Sequence, residues 1–356
     1  MRRSSRYRVA AYTLPILVMT FLFPVLAGMS PASAGEITDM TGRKVVVPDT
    51  INRVFAVSPP GTYLLYALDP SVIIGLNFPL WESEKRYTAK SYQTLPVIGG
   101  MVGQGRNINQ EVLLAAKPDV IVIWAGRVSA VTRNYEEMFA RMKIPWFNVC
   151  LDTIDDYPEA ILFVGRLLGR KERAAELHGY AVCSLNQVKT SVAGIPEASR
   201  PKVYYAQGMD GLCTDPAGSM HTELIEFCGG VNVHRKQSRD NYGYGMDKVT
   251  LEQVMLYDPD AILIKEKAFY AEVFSDPRWR RIKAVREKRC FLIPHGPFNW
   301  FDRPPSFMRL LGAKWLMSIL HPERFPIDMM GETKLFYRLF LGVDLSDKEA
   351  KELLGE

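Results

Sequence analysis

Apolar positions along this chain recur in one compound pattern, and it occurs twice. Residues 111–123 read EVLLAAKPDVIVI and residues 252–264 read EQVMLYDPDAILI. Aligned on Glu111 and Glu252, Pro118 meets Pro259, Asp119 meets Asp260, and the apolar runs coincide. Each copy opens on an N-cap candidate, Asn109 or Thr250, and Thr250 with Gln253 has the spacing of a capping box. The proline ends the helix, because the residue before it is disfavoured in the α region. The unbroken apolar run that follows predicts a strand covered on both faces. Two such units predict two similar α/β lobes in one chain.

The remaining pattern fills in those lobes. Residues 37–48 predict a hairpin turning at Thr41-Gly42, residues 53–58 a strand, and Pro59-Pro60-Gly61 the start of a helix reaching Leu68. A short strand is expected over 72–76, an aromatic loop over 78–81 and a glycine-rich stretch over 96–105. After the first repeat come a helix over 129–142, a strand over 146–149 and a helix over 157–168. From Lys171, the residues Ala174, Leu177, Ala181, Leu185 and Val188 keep one apolar face for about five turns. No strand joins this segment, so it predicts a long helix connecting the lobes. The second half predicts strands over 202–207 and 289–294, helices over 221–228 and 306–320, loops over 208–218 and 241–246, and a tail over 321–356 with two helices. The expected fold class is α/β, with parallel sheets flanked by helices in two lobes. The boundaries are a leader at 1–34, a first lobe at 35–169, the connecting helix at 170–195 and a second lobe with its tail at 196–356.

Length and charge sharpen this. At 356 residues the chain exceeds the usual size of one core, while 47% apolar and 23% charged residues are ordinary for a globular protein. Of the formal net charge of +5, Arg2, Arg3, Arg6 and Arg8 supply a large part. They begin a segment with a basic start, an apolar stretch over 9–27 and the small residues Ala32-Ser33-Ala34, which together predict a secretory leader cleaved after Ala34. No cysteine follows the apolar stretch to accept a lipid, and Arg2-Arg3 lacks the rest of a twin-arginine signal. The rest of the chain is close to neutral and has no basic stripe, which argues against nucleic acid as a partner. The five cysteines, Cys150, Cys183, Cys213, Cys228 and Cys290, have no CxxC spacing. That argues against a zinc cluster or redox dithiol. Cys213 with Cys228 is the candidate bridge, and the others read as small buried hydrophobes.

Open α/β sheets bind ligands in loops at the carboxyl ends of their strands. Tyr63, Trp81, Trp124 and Arg127 fall in such places in the first half, and Tyr242, Tyr244, Met246, His295 and Trp300 in the second. Each aromatic residue alone reads equally well as core; together, in glycine- and proline-rich loops, they predict a lining for a bulky, partly apolar ligand. Arg127 or Arg303 is placed to clamp a carboxylate, and Arg303 equally to cap the helix or to pair with Asp302. His295 is the candidate metal-binding residue, as an axial ligand to a chelated metal. There is no GxGxxG, P-loop, GxSxG or HExxH sequence.

The run DMTGRKVVVP at 39–48, then RVFAVSP at 53–59, the two E-x6-P-D units, Phe227-Cys-Gly-Gly-Val-Asn232 and Trp300-Phe-Asp-Arg-Pro304 together carry a resemblance. In order and spacing they resemble the class III, helical-backbone periplasmic binding proteins of ABC importers for cobalamin, siderophores and haem. The resemblance covers nearly the whole chain after the leader. It implies two lobes joined by one rigid helix, with the ligand between them and no catalytic residues. It also implies a periplasmic location, a monomer, no intrinsic cofactor and a metal chelate as the carried small molecule. Glu111 and Glu252 then dock onto arginines of the permease, a transmembrane dimer with ATPase subunits; without the resemblance each simply favours the positive end of a helix. Two other readings remain. Capture of a bare zinc or manganese ion takes three or four converging ligands, whereas His178, His221, His234, His295 and His321 are scattered. An exported hydrolase requires an acid–base pair in the cleft.

Overall fold

The computed structural model describes residues 34–101, 107–124, 130–235 and 246–356. Arg127, Tyr242 and Tyr244, most of the expected leader and part of the glycine-rich stretch lie outside these residues.

The first lobe opens on β1 (Ala34–Thr38), paired antiparallel with β2 (Lys44–Pro48). Their turn is closed by Asp39, whose carboxylate accepts from the amides of Thr41 (3.0 Å) and Arg43 (2.9 Å). Next come β3 (Val54–Ala56), α1 (Pro59–Leu68), α2 (Glu82–Lys85), α3 (Lys90–Gln93), α4 (Gln110–Ala115), β4 (Val120–Trp124), α5 (Ala130–Met142), β5 (Trp146–Val149) and α6 (Tyr157–Leu167). Strands β3, β4 and β5 lie side by side in that order, all parallel. The strand expected over 72–76 is reduced to single bridges, Val54 to Ile73 and Leu76 to Val97. Pro70 starts a turn of 3-10 helix there, with Asp69 accepting from the Ser71 amide, so too few residues remain to form a ladder.

Helix α7 (Lys171–Val192) follows, and its buried face is the predicted one, Ala174, Leu177, Ala181, Leu185 and Val188. The second lobe runs through β6 (Lys202–Ala206), β7 (Cys213–Thr214), α8 (Glu223–Phe227), β8 (Val231–Asn232), β9 (Asp247–Lys248), α9 (Leu251–Tyr257), β10 (Ala261–Ile264), α10 (Lys267–Val273), α11 (Lys283–Arg286), β11 (Cys290–Leu292) and α12 (Arg309–Leu320). Its main sheet has the order β11-β10-β6-β8, again parallel, while β7 and β9 form a small antiparallel ribbon. The tail holds α13 (Met329–Phe336), which continues into a wider turn, and α14 (Asp347–Leu354).

The repeat proves to be a structural joint. Helix α4 is followed by Lys117 and α9 by Asp258, both left-handed (φ 46° and 44°), so the chain leaves each helix through a left-handed residue and not the extended one expected before proline. Then Asp119 accepts from the amides of Asn52 and Arg53, both 2.8 Å, and Asp260 from that of Lys202, 2.8 Å. The amides of Asp119 and Asp260 donate back to the carbonyls of Arg53 and Lys202, each at 2.8 Å. Each Pro-Asp thus fixes the start of one strand against the start of its neighbour, which sets the register of the sheet.

One apolar core runs through both lobes, and each lobe has a smaller cluster of its own, around Ile121 and Phe139 in the first and Ile262 and Phe269 in the second. The shared core joins Val54 and Val122 of the first sheet, Leu177 and Leu185 of α7, Val203 and Leu263 of the second sheet, and Phe336 and Phe340 of the tail. The expected Cys213–Cys228 bridge is absent: both thiols are free, and Cys228 is buried with its Sγ 3.4 Å from the Ala313 carbonyl.

Candidate ligand-binding site

The chain reverses direction across each sheet at one place. In the first lobe β3 has the Ile73 bridge on one side and β4 on the other; in the second, β6 has β8 on one side and β10 on the other. Such switch points open a crevice at the strands' carboxyl ends. Here those ends are Val57–Ser58 with Trp124, and Gln207 with Lys265. The two edges meet across α1 and the loop after β11, where the ring of Tyr63 stacks on Phe298 with centroids 3.6 Å apart. Glu223 of the second lobe also accepts from the Ile154 amide of the first, at 3.1 Å.

The loop over 294–305 works as a braced plate. Asn299 is buried and its Oδ1 accepts from the amides of Phe301 (2.7 Å) and Asp302 (2.9 Å). Asp302, buried too, lies 2.8 Å from Nδ1 of His221, and the Tyr337 hydroxyl donates to the Gly296 carbonyl. At one end of the plate stands His295. At the other stands Arg303 in a left-handed conformation (φ 54°), which a non-glycine residue adopts only when its surroundings hold it. What holds it is an ionic clasp. Its Nη2 donates to both oxygens of the buried Asp215 (2.7 and 2.6 Å), its Nε to Gln207 Oε1 (2.8 Å), and Gln207 Nε2 in turn donates to Asp215 (2.6 Å).

A cavity of about 510 Å³ lies against this plate, lined by Lys265, Glu266, Lys267, Leu292, His295, Asn299 and Arg303, with Glu352 of the tail at its edge; Lys265 donates to Glu266 at 3.0 Å. That volume is in the range of small-molecule sites. His295 shows an open face to solvent while protein encloses its other sides. That enclosure, and then the Lys265 ammonium, lower its pKa, so the imidazole is neutral at pH 7 with a lone pair to offer.

The structure separates the predicted site residues. His295 and Arg303 come together on the cavity wall. Trp124 ends β4 half-buried, with its Nε1 donating to Asp152 at 3.2 Å. Trp81 and Met246 are 70% and 47% exposed and do not line the cavity. Two expectations are corrected. Trp300 is 0% exposed, packed against Tyr337 with its carbonyl under α12, and so belongs to the core. Tyr63 is buried as well, its ring face occupied by Phe298. A proline-rich loop lies at the surface unless something covers it, and here α12 and the tail do. Gln207, Asp215 and Lys265 were not singled out from the sequence. Lys265 carried a usable signal, since it occupies in the second repeat the place Trp124 has in the first. Asp215 carried none, because its partner lies far along the chain.

Glu111 and Glu252 are both exposed in the first turns of α4 and α9. Asn109 caps the first helix, accepting from the amides of Glu111 and Val112 (3.1 Å each), and Thr250 caps the second, accepting from Gln253 (3.2 Å). Hydrogen bonds at the helix end, including one with Thr250, lower the pKa of Glu252.

The family model for periplasmic binding proteins matches residues 84–296. The chain belongs to the periplasmic binding protein family. Within it, the two-lobed α/β architecture is that of the class III binding proteins of ABC importers. A solved ABC transporter solute-binding protein from Sulfurospirillum deleyianum is 38% identical, superposes with a TM-score of 0.84, and is matched over 90% of this chain and 99% of its own. The molybdate-binding protein MolA of Haemophilus influenzae is 24% identical over 85% of this chain and 90% of its own length. The vitamin B12-binding protein of Salmonella typhi is 25% identical over 75% of this chain and 90% of its own. These relatives are binding proteins. No helix among the described residues is long and apolar enough to cross a membrane.

Proposed function

We propose that this periplasmic binding protein captures a metal already held by other atoms, an anionic or organic metal complex of the siderophore, cobalamin or haem type, and delivers it to an ABC permease. It does so without catalysis and without a cofactor of its own, as a monomer of two lobes (35–169 and 196–356) around the helix at 170–195. The observation that carries this reading is the cavity of about 510 Å³ with the imidazole of His295 on its wall. Its volume suits an organic ligand, and its imidazole suits one open coordination position. Both ligands named for the relatives, molybdate and vitamin B12, are metals already wrapped in covalent or chelating atoms. A bare ion would instead use several converging protein ligands, and among the described residues no group of three or more His, Cys, Asp or Glu is placed to hold one.

Glu111 and Glu252 serve the permease in this reading, because they share one place in two similar lobes and lie apart from the cavity. The leader is removed after Ala34, and mass spectrometry of exported protein should find Gly35 first. The deciding experiment is metal analysis and absorption spectroscopy of protein isolated from its native periplasm. A stoichiometric metal with a chelate chromophore is expected. Colourless protein carrying a metal-free solute would overturn the proposal.

A further inference from the structure

The repeat helices carry more than their glutamates. Each turns one apolar residue wholly inward, Leu113 on α4 and Val254 on α9, both 0% exposed. Each also holds a leucine in solvent: Leu114 is 49% and Leu256 79% exposed. They stand three residues after Glu111 and four after Glu252, and both spacings place the leucine on its glutamate's face of the helix. The match is of faces, not of aligned positions, since Leu114 aligns with Met255 and Leu256 with Ala115. Exposed large apolar side chains are few among the described residues, the others being Val46, Trp81, Met209, Met246 and Leu335. Two of them therefore fall on the one pair of surfaces that the internal repeat makes equivalent. Packing of the free protein does not require them, because Leu113 and Val254 already fill the core beneath.

We propose that Leu114 and Leu256 are the apolar anchors by which each lobe seats on the permease, each entering a socket beside a cation that meets the neighbouring carboxylate. The proposal rests on the docking reading of Glu111 and Glu252. The twofold occurrence of a surface that pairs a carboxylate with an exposed leucine commits it to one occupant, a permease presenting the same socket twice. Carboxylates supply encounter and register; a leucine desolvated at the centre of the contact supplies residence.

The test compares Leu114→Gln/Leu256→Gln with Glu111→Gln/Glu252→Gln and the unaltered protein. Each is titrated as purified against the cognate importer in nanodiscs by biolayer interferometry, and thermal unfolding is measured alongside. The leucine pair should leave the melting temperature unchanged, weaken binding by about tenfold or more, and act mainly through faster dissociation. Binding at wild-type strength by the leucine variant while the glutamate variant is weakened overturns the anchors alone. Wild-type binding by both variants shows that this face does not dock at all and overturns the underlying reading as well. Weak binding by the leucine variant with wild-type binding by the glutamate variant retains the anchors and removes the carboxylates from the contact.

Discussion

Glu84 shows how one buried side chain makes the whole protein respond to pH. It is almost inaccessible, with one carboxylate oxygen accepting from the Trp81 amide at 2.6 Å, and burial raises its pKa from 4.5 to about 7. The folded state therefore keeps a proton that the unfolded chain has already released. This contribution to stability is complete below about pH 4.5 and is lost as pH rises through about 7. Glu84→Gln should be more stable than wild type at pH 8, by on the order of 2 kcal/mol, and little different at pH 4. Urea unfolding at the two values checks it, and equal gaps at both would contradict it. Trp300 makes a second case at this scale. Since it lies in the core, Trp300→Ala should cost about 3–5 kcal/mol of stability. A methyl group at Gly312 would meet the Trp300 carbonyl at 1.8 Å, so Gly312→Ala should also destabilise strongly, by at least the roughly 1–3 kcal/mol typical of overpacking. Thermal melts of both variants decide. A soluble Trp300→Ala of wild-type stability would return this residue to the ligand surface.

Among elements, the contact between α8, α12 and the turn over 154–156 couples the lobes through charge. Arg309 is 1% exposed, and its Nη2 donates to Glu223, whose carboxylate also receives the Ile154 amide. Removing one partner of a buried pair strands the other charge. Glu223→Ala should thus cost about 3–5 kcal/mol, and replacing Arg309 and Glu223 together by apolar residues should cost much less than the single changes added. A double-mutant cycle in urea measures this. Strict additivity would mean the pair is solvated and contributes little. The Pro-Asp joints act on the same scale: Asp119→Ala leaves the two amides just before β3 without their acceptor and should cost about 0.5–1.5 kcal/mol by the same measurement.

The whole molecule is tied together in a way two separate lobes would not be. One apolar core passes through α7 into both sheets and on into the tail. The tail then returns to the first lobe, where Arg86 pairs with Glu349 (3.2 Å) and Glu352 (2.9 Å) of α14. These exposed pairs stabilise little by themselves, but Leu353 beside them is buried and anchors the end of the helix. Hinge closure needs loop residues free to change dihedral angles, and a continuous 22-residue helix packed along one face supplies none. Small-angle scattering curves with and without bound cargo should therefore nearly superimpose; a marked contraction on binding would show that the core between the lobes opens.

Local rules were enough for much of this. Apolar periodicity placed the repeat, the long helix and its buried face, because each depends on residues within a few turns of one another. The repeat alone gave two lobes, and it put Glu111 and Glu252 on equivalent helices. What the sequence left open was which loop residues face a ligand, because that depends on what lies on top of them. Trp300 occupies the same loop as His295, and Tyr63 the second turn of α1, yet α12, the tail and Phe298 cover Trp300 and Tyr63 and leave His295 at a cavity. Arg303 was legible as a cation in a loop, but its clasp by Gln207 and Asp215 joins positions some 90 residues apart, a pairing only long-range packing could make. Periodicity records which side of an element is covered. Only the assembled structure decides whether that cover is another part of the chain or a space for something carried.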